Sequence, residues 1–177
     1  EIKLSDVISN ISELPGLLAN EIEEKYSDVV FTSLAEHLSA YAEEEFSWTI
    51  DYQGITFWFS PYDIAAYAVG PLSIKLYFDE MSELFTGEYM ETAPDVYAIS
   101  LPSDLEVEFD LKKNDGKRDK IYLGKSLDQT GSYYMFNMTV NETEYINDVN
   151  YAYGFDTYLV HIKDKNYIYY VSYTDGD

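Results

Sequence analysis

The stretch from Phe46 to Glu80, FSWTIDYQGITFWFSPYDIAAYAVGPLSIKLYFDE, decides how the first half of the chain is read. Three runs in it alternate. Phe46, Trp48 and Ile50 share one face, Ile55, Phe57 and Phe59 the next, and Leu72, Ile74, Leu76 and Phe78 the third. Such alternation places every other side chain on one side of a pleated strand, so each run reads as a strand buried on a single face. Asp51-Tyr52-Gln53-Gly54 has tight-turn composition, with Gly54 expected to supply a positive φ. The stretch therefore predicts a hairpin, a Pro-Tyr-Asp linker with one helical turn, and a third strand entered through Gly70-Pro71.

Upstream, residues 1–27 read as two helical pieces. Leu4, Val7, Ile8 and Ile11 are spaced for one helix face, and Pro15 suits the first turn of a second helix with Leu17, Leu18 and Ile22 inward. A third helix is expected after Ser27, a residue type that caps helix N-termini, with Val30, Leu34, Leu38 and Tyr41 as its buried stripe. Glu43, Glu44 and Glu45 close it. Carboxylates sit poorly at the negative end of a helix dipole, so this run is either a solvated end or a patch for something basic. His37 lies beside the stripe with no second His or Cys at metal spacing, and reads as a boundary residue. Glu80 to Phe85 is expected to form a short helix.

Downstream the chain turns to strands: Val96 to Leu101, 105–111, Ile121 to Lys125, 133–140, 155–162 and 167–174. In 105–111 Leu105, Val107, Phe109 and Leu111 alternate with Glu106, Glu108 and Asp110. The last two runs are joined by Lys163-Asp164-Lys165-Asn166. Short strands with polar turns predict a sandwich or propeller-blade-like part. His161 alternates with Leu159 and Thr157 and reads as structural. The fold class is therefore α+β: N-terminal helices packed on an antiparallel sheet, followed by a β-rich C-terminal part.

Charge is uneven along the chain. The net charge is −22, and residues 1–110 hold 23 acidic against 3 basic residues while 111–177 hold 10 against 8. This shift places the expected boundary between an α+β domain at 1–103 and a β-rich domain at 104–177. Nucleic acid is excluded as a partner, because its affinity comes from Lys and Arg on phosphates, and an anionic membrane surface is disfavoured likewise. A basic partner is favoured. The 19 tyrosines read as a half-buried sheet, or as an exposed aromatic platform for sugars or a partner. There is no cysteine, so no thiolate chemistry. No apolar run approaches the roughly 20 residues that cross a bilayer. The chain opens at Glu1 rather than Met, which is read as a signal peptide or anchor removed and an extracellular or cell-surface location.

GITFWFSPYDIAAYAVGP resembles the extracytoplasmic domain of unknown function in RsiV-type anti-sigma factors and in some peptidoglycan deacetylases of Gram-positive bacteria. Pro61, Tyr62, Ile64, Ala65, Tyr67, Ala68 and Gly70 match that pattern, while Asp63, Ala66 and Val69 depart from it. The resemblance covers about residues 3–85 and carries over no catalytic residue. It implies an extracytoplasmic binding or sensing role, with lysozyme as the ligand of the RsiV type. In the motif Pro61 and Pro71 are expected to fix the chain, Tyr62 and Tyr67 to pack and hydrogen-bond the crossover, and Gly70 to permit a turn. FDLKKNDGKRDKIYL resembles an Asp-rich calcium loop of secreted β-propeller repeats, matched at Asp110, Asp115, Gly116 and Asp119. Lys112 and Lys113 stand where calcium wants oxygens, so a hairpin turn that has lost its metal is expected.

Two histidines and no cysteine leave most nucleophile–base arrangements short of a base, and no Gly-x-Ser-x-Gly elbow or phosphate loop occurs. The sequence thus points to a non-catalytic extracytoplasmic module, without cofactor. Its partner is a basic protein such as lysozyme or a cell-wall glycan. The alternative is a carbohydrate-contacting accessory domain of a secreted cell-wall enzyme.

Overall fold

The computed structural model describes residues 2–90, 93–104, 106–111 and 117–174, and of residues 148–151 the backbone alone. The chain divides into two compact units, Glu1–Thr92 and Ala93–Asp177. The division falls ahead of the expected boundary at 103/104. Val96–Leu101 is the reason: it pairs with a strand of the second unit, not with the hairpin of the first.

In the first unit the three runs form β1 (Ser47–Ile50), β2 (Gly54–Phe59) and β3 (Leu72–Tyr77), an antiparallel sheet in that order. Trp48 faces Phe57 and Phe57 faces Ile74; Ile50 faces Ile55 and Ile55 faces Leu76. The expected stripe is thus brought into register on one face. Against it lie α1 (Leu4–Val7), α2 (Leu14–Tyr26) and α3 (Leu34–Ser39), with Leu14, Leu18, Ile22, Leu34 and Leu38 buried in the same core as Ile55, Phe57 and Leu76. The Tyr26 hydroxyl donates to the Ser73 carbonyl oxygen over 2.9 Å, tying α2 to β3. The other face of the sheet is held by the Lys75 ammonium, 2.6 Å from Asp51 at the hairpin turn, and by the Trp58 indole N–H donating to Thr49.

Gly54 serves a different purpose from the one its sequence suggests. It is not among the positive-φ residues. A Cβ at this position would lie 2.1 Å from the Leu76 carbonyl oxygen, so glycine is required for the close approach of β2 to β3. The third helix starts at Leu34, not after Ser27, which instead closes α2. The intervening residues are engaged elsewhere: Val30 bridges Ala65 and the Phe31 N–H donates to Ile64 O. Glu80 to Phe85 forms hydrogen-bonded turns rather than a helix. Phe85 bridges Ile8 and the Leu84 carbonyl accepts from Ser9, so the segment pairs with the N-terminus.

The second unit holds β4 (Val96–Leu101), β5 (Glu106–Phe109), β6 (Asp119–Leu127), β7 (Tyr134–Val140), β8 (Thr143–Ala152), β9 (Gly154–Ile162) and β10 (Lys165–Tyr173). They form two antiparallel sheets, β10-β9-β4 and β5-β6-β7-β8. Phe155 and Leu159 from the first join Ile121, Leu123, Phe136 and Val140 from the second in one apolar cluster, the arrangement of a sandwich. The sequence reading contained no strand at β8. It follows β7 through Asn141 and Glu142, both at positive φ, the mark of a two-residue hairpin turn.

Two glycine substitutions should move stability in opposite directions. Gly54→Ala is expected to cost about 2–3 kcal/mol by forcing the sheet apart. Gly16→Ala, in α2 with nothing near its Cβ, should add about 0.5–1 kcal/mol. Denaturant unfolding of both variants measures the difference.

Candidate docking surface

The linker between β2 and β3 is anchored from below and displays aromatic rings above. Ser60 to Asp63 is a turn: the Asp63 N–H donates to Ser60 O over 3.0 Å, and the Asp63 carboxylate accepts the Ser60 N–H at 2.6 Å. Pro61 at the second position and a positive φ at the third are the pattern of a type II turn, whose third position normally takes glycine. Here it holds Tyr62, at φ 78°. Below the turn Ile64 and Ala65 are buried in the core. The Asp63 carbonyl oxygen lies 2.8 Å from Nε2 of His37, which donates to it, and the Tyr41 ring packs edge-on against that imidazole. Burial raises the Tyr41 hydroxyl above its usual range, with the charges of Asp63 and Glu45 adding to it. A single 3-10 turn, Tyr67–Val69, and Gly70 at φ 82° then lead through Pro71 into β3. Pro61 stands in the turn that leaves β2, and Gly70 and Pro71 immediately precede β3.

Tyr62 and Tyr67 do not pack the crossover as expected. They are 68% and 64% exposed. Their rings stack on each other at 5.2 Å and 25°. The apolar content of the linker is split, with Ile64 and Ala65 inward and the two tyrosines outward. Val29 and Phe31, in the segment bonded to residues 64–65, are exposed as well. Nothing in the sequence marked those two as surface residues, because their exposure follows from the non-local pairing with Ala65.

The acidic run is not a helix end. Glu43–Glu45 forms a separate 3-10 turn. Glu45 accepts the Ala42 N–H at 2.6 Å, and Glu43 accepts the Ser5 N–H at 2.7 Å. The Ser5 hydrogen bonds hold the Glu43 carboxyl below its ordinary value. Glu43 and Glu44 line a cleft of about 280 Å³ with Phe46, Trp48 and Lys3. Glu21, raised by partial burial and by Glu24 and Glu80, lies on α2 and does not line that cleft.

In the second unit His161 stacks on Tyr97 at 4.7 Å, and its Nδ1 lies 2.8 Å from the Asn166 amide oxygen. Asn166 in turn donates to Asp110 O over 2.8 Å, so the pair braces strands. Of the calcium candidates, Asp119 accepts the Leu111 N–H at 3.0 Å and the Asn141 side-chain amide at 2.6 Å, a hairpin-bracing role. Asp110 lies just beyond β5, and Asp115 lies outside the described residues. Among the described residues no group of three or more His, Cys, Asp or Glu side chains is placed to hold a metal. No described helix is long and apolar enough to cross a membrane.

Residues 7–79, which contain the whole of this linker, match the model of a family described as a protein of unknown function, DUF3298. A crystal structure of a member of that family from Bacteroides fragilis is similar at 25% identity, with a TM-score of 0.39, over 52% of this chain. The match covers 40% of that longer protein. No curated protein matches the chain.

Two measurements follow from this geometry. If Tyr62 is displayed rather than structural, Tyr62→Gly should change stability by less than about 1 kcal/mol, because relief of the left-handed φ offsets loss of the ring stack. The Glu43 carboxyl is held below its ordinary value on folding, so it stabilises the fold at pH above the usual carboxylate range, and that contribution is lost as pH falls through the lowered value. Glu43→Gln should therefore flatten the acid limb of a stability–pH curve and leave its neutral plateau shape unchanged.

Proposed function

We propose that the first unit is a non-catalytic docking module for a basic protein, acting outside the cytoplasm, with the Tyr62–Tyr67 pair as its contact. The observation that carries this reading is the tyrosine pair itself. Two large aromatic side chains are held in solvent on a core-anchored linker, one of them at a backbone conformation that costs free energy and that glycine would adopt freely. A strained, exposed aromatic is hard to explain by packing, and aromatic residues of this kind anchor protein contacts.

Charge supports the basic character of the partner. Residues 1–92 contain 18 acidic side chains against 3 lysines, a net of −15. Lys75 is already paired with Asp51. An anionic unit raises the encounter rate with a cationic protein, and stacked tyrosine faces favour an arginine or lysine side chain laid across them. The resemblance of residues 61–70 to the lysozyme-sensing domain points the same way.

Calorimetric titration with lysozyme as the basic probe tests this. Saturable one-to-one binding should survive roughly 0.15 M salt. Tyr62→Ala with Tyr67→Ala should weaken it about tenfold or more, in keeping with loss of an aromatic anchor. Heat that vanishes with salt, or binding indifferent to the double substitution, overturns the proposal.

A further inference from the structure

The outer face of the β10-β9-β4 sheet is aromatic and nearly uncharged on a chain that is neither neutral nor short of carboxylates. Register fixes which side chains share it. Tyr167 pairs with Val160, Tyr169 with Tyr158, and Tyr173 with Gly154; on the far side Val160 pairs with Ala98 and Tyr158 with Ser100. The intervening residues Phe155, Leu159, Ile168 and Tyr170 point into the sandwich core. Tyr167 and Tyr169 are 48% and 58% exposed, and Val96 and Tyr173 are exposed with them. The face is also built. Tyr173 lies over Gly154, where a Cβ would sit 3.7 Å from its ring, and its hydroxyl donates to the Asp156 carboxylate. That bond raises the Tyr173 hydroxyl above its ordinary range. Among the described residues of the three strands, Asp156 and Lys165 are the charged side chains on this face, and their charges offset.

We infer that this face is a binding platform for a neutral polysaccharide. An exposed apolar patch of aromatic residues marks an interaction site. The charges decide which occupant fits. A second copy of the chain would bring −22 against −22, and an anionic polymer meets the same repulsion. A basic protein is attracted by the chain as a whole, but it finds no net charge on this face to pair with, whereas the first unit offers one. A neutral glycan requires none. Its pyranose rings have flat C–H faces that stack on tyrosine, and its hydroxyls meet the phenolic oxygens at the ring tips. The face lies in the second unit, beyond residue 79 where the family match ends. It therefore stands apart from the docking role given to Tyr62 and Tyr67.

The test uses the full chain with insoluble β-glucan and chitin, and with their soluble oligosaccharides, between roughly 0.05 and 0.5 M salt. Retention on at least one neutral glycan, unchanged across that range, is expected. Tyr167→Ala with Tyr169→Ala should lower affinity about tenfold or more, because two stacking rings are removed, while Tyr167→Phe with Tyr169→Phe should retain most of it. Far-ultraviolet circular dichroism confirms that each variant is folded, and Tyr169→Ala alone serves if the double variant is not. Tyr62→Ala with Tyr67→Ala should leave glycan retention unchanged, which separates this inference from the lysozyme titration. No retention on any neutral glycan, retention that falls with salt, or full retention by a folded Tyr→Ala variant overturns it. Sedimentation showing that the chain self-associates through these tyrosines overturns it equally.

Discussion

The contact between Gly54 and the Leu76 carbonyl is the constraint on which the first unit depends. It is a steric condition at one position, yet it sets how β2 lies against β3. Side chains on a strand change faces with every residue, so a slip of one would carry Ile55, Phe57 and Phe59 away from the core. With the register held, Phe57 comes between Trp48 and Ile74, and the helices find an unbroken apolar surface. The linker starts from the end of β2 and finishes at the start of β3. Its tyrosines are therefore presented by the same register that closes the core.

The strands were legible because one-sided burial writes itself into sequence with period two. Ile55-Thr56-Phe57-Trp58-Phe59 and Leu72 to Leu76 needed no other information. β8 was not legible for the complementary reason. Thr143, Glu144 and Tyr145 are exposed, and Ile146 is the partly buried residue that meets the core, so no alternation stands out over Thr-Glu-Tyr-Ile-Asn-Asp. The Asn141-Glu142 turn was the available signal. The start of α3 is not legible locally, because Ser27 has the residue type of a cap and Val30, Leu34 and Leu38 keep a helical spacing after it. What delays the helix to Leu34 is the bridge between Val30 and Ala65, a contact 35 residues apart in the chain.

The candidate site was half legible. The Pro61–Pro71 motif could be located and its turn residues assigned. The orientation of Tyr62 could not, since a tyrosine at positive φ contradicts local preference and only the surrounding anchors enforce it. The tyrosines of β10 are the opposite case. In Tyr167-Ile168-Tyr169-Tyr170 the alternation says which residues share a face, while either face could have been the buried one. Ile168 and Tyr170 turned inward because Phe136 and Phe155 stand there to receive Tyr170, the former stacked on it at 4.6 Å.

Aromatic residues are also divided unequally between the units. Both tryptophans, Trp48 and Trp58, lie in the β1–β2 hairpin, whereas the second unit carries 12 of the 19 tyrosines and no tryptophan. Indole emission excited at long wavelength therefore originates in the first sheet alone, while tyrosine near-ultraviolet dichroism is weighted towards the second unit. The chain is built as its own two-channel reporter: the loss of one unit's order is optically distinct from the loss of the other's, without any label.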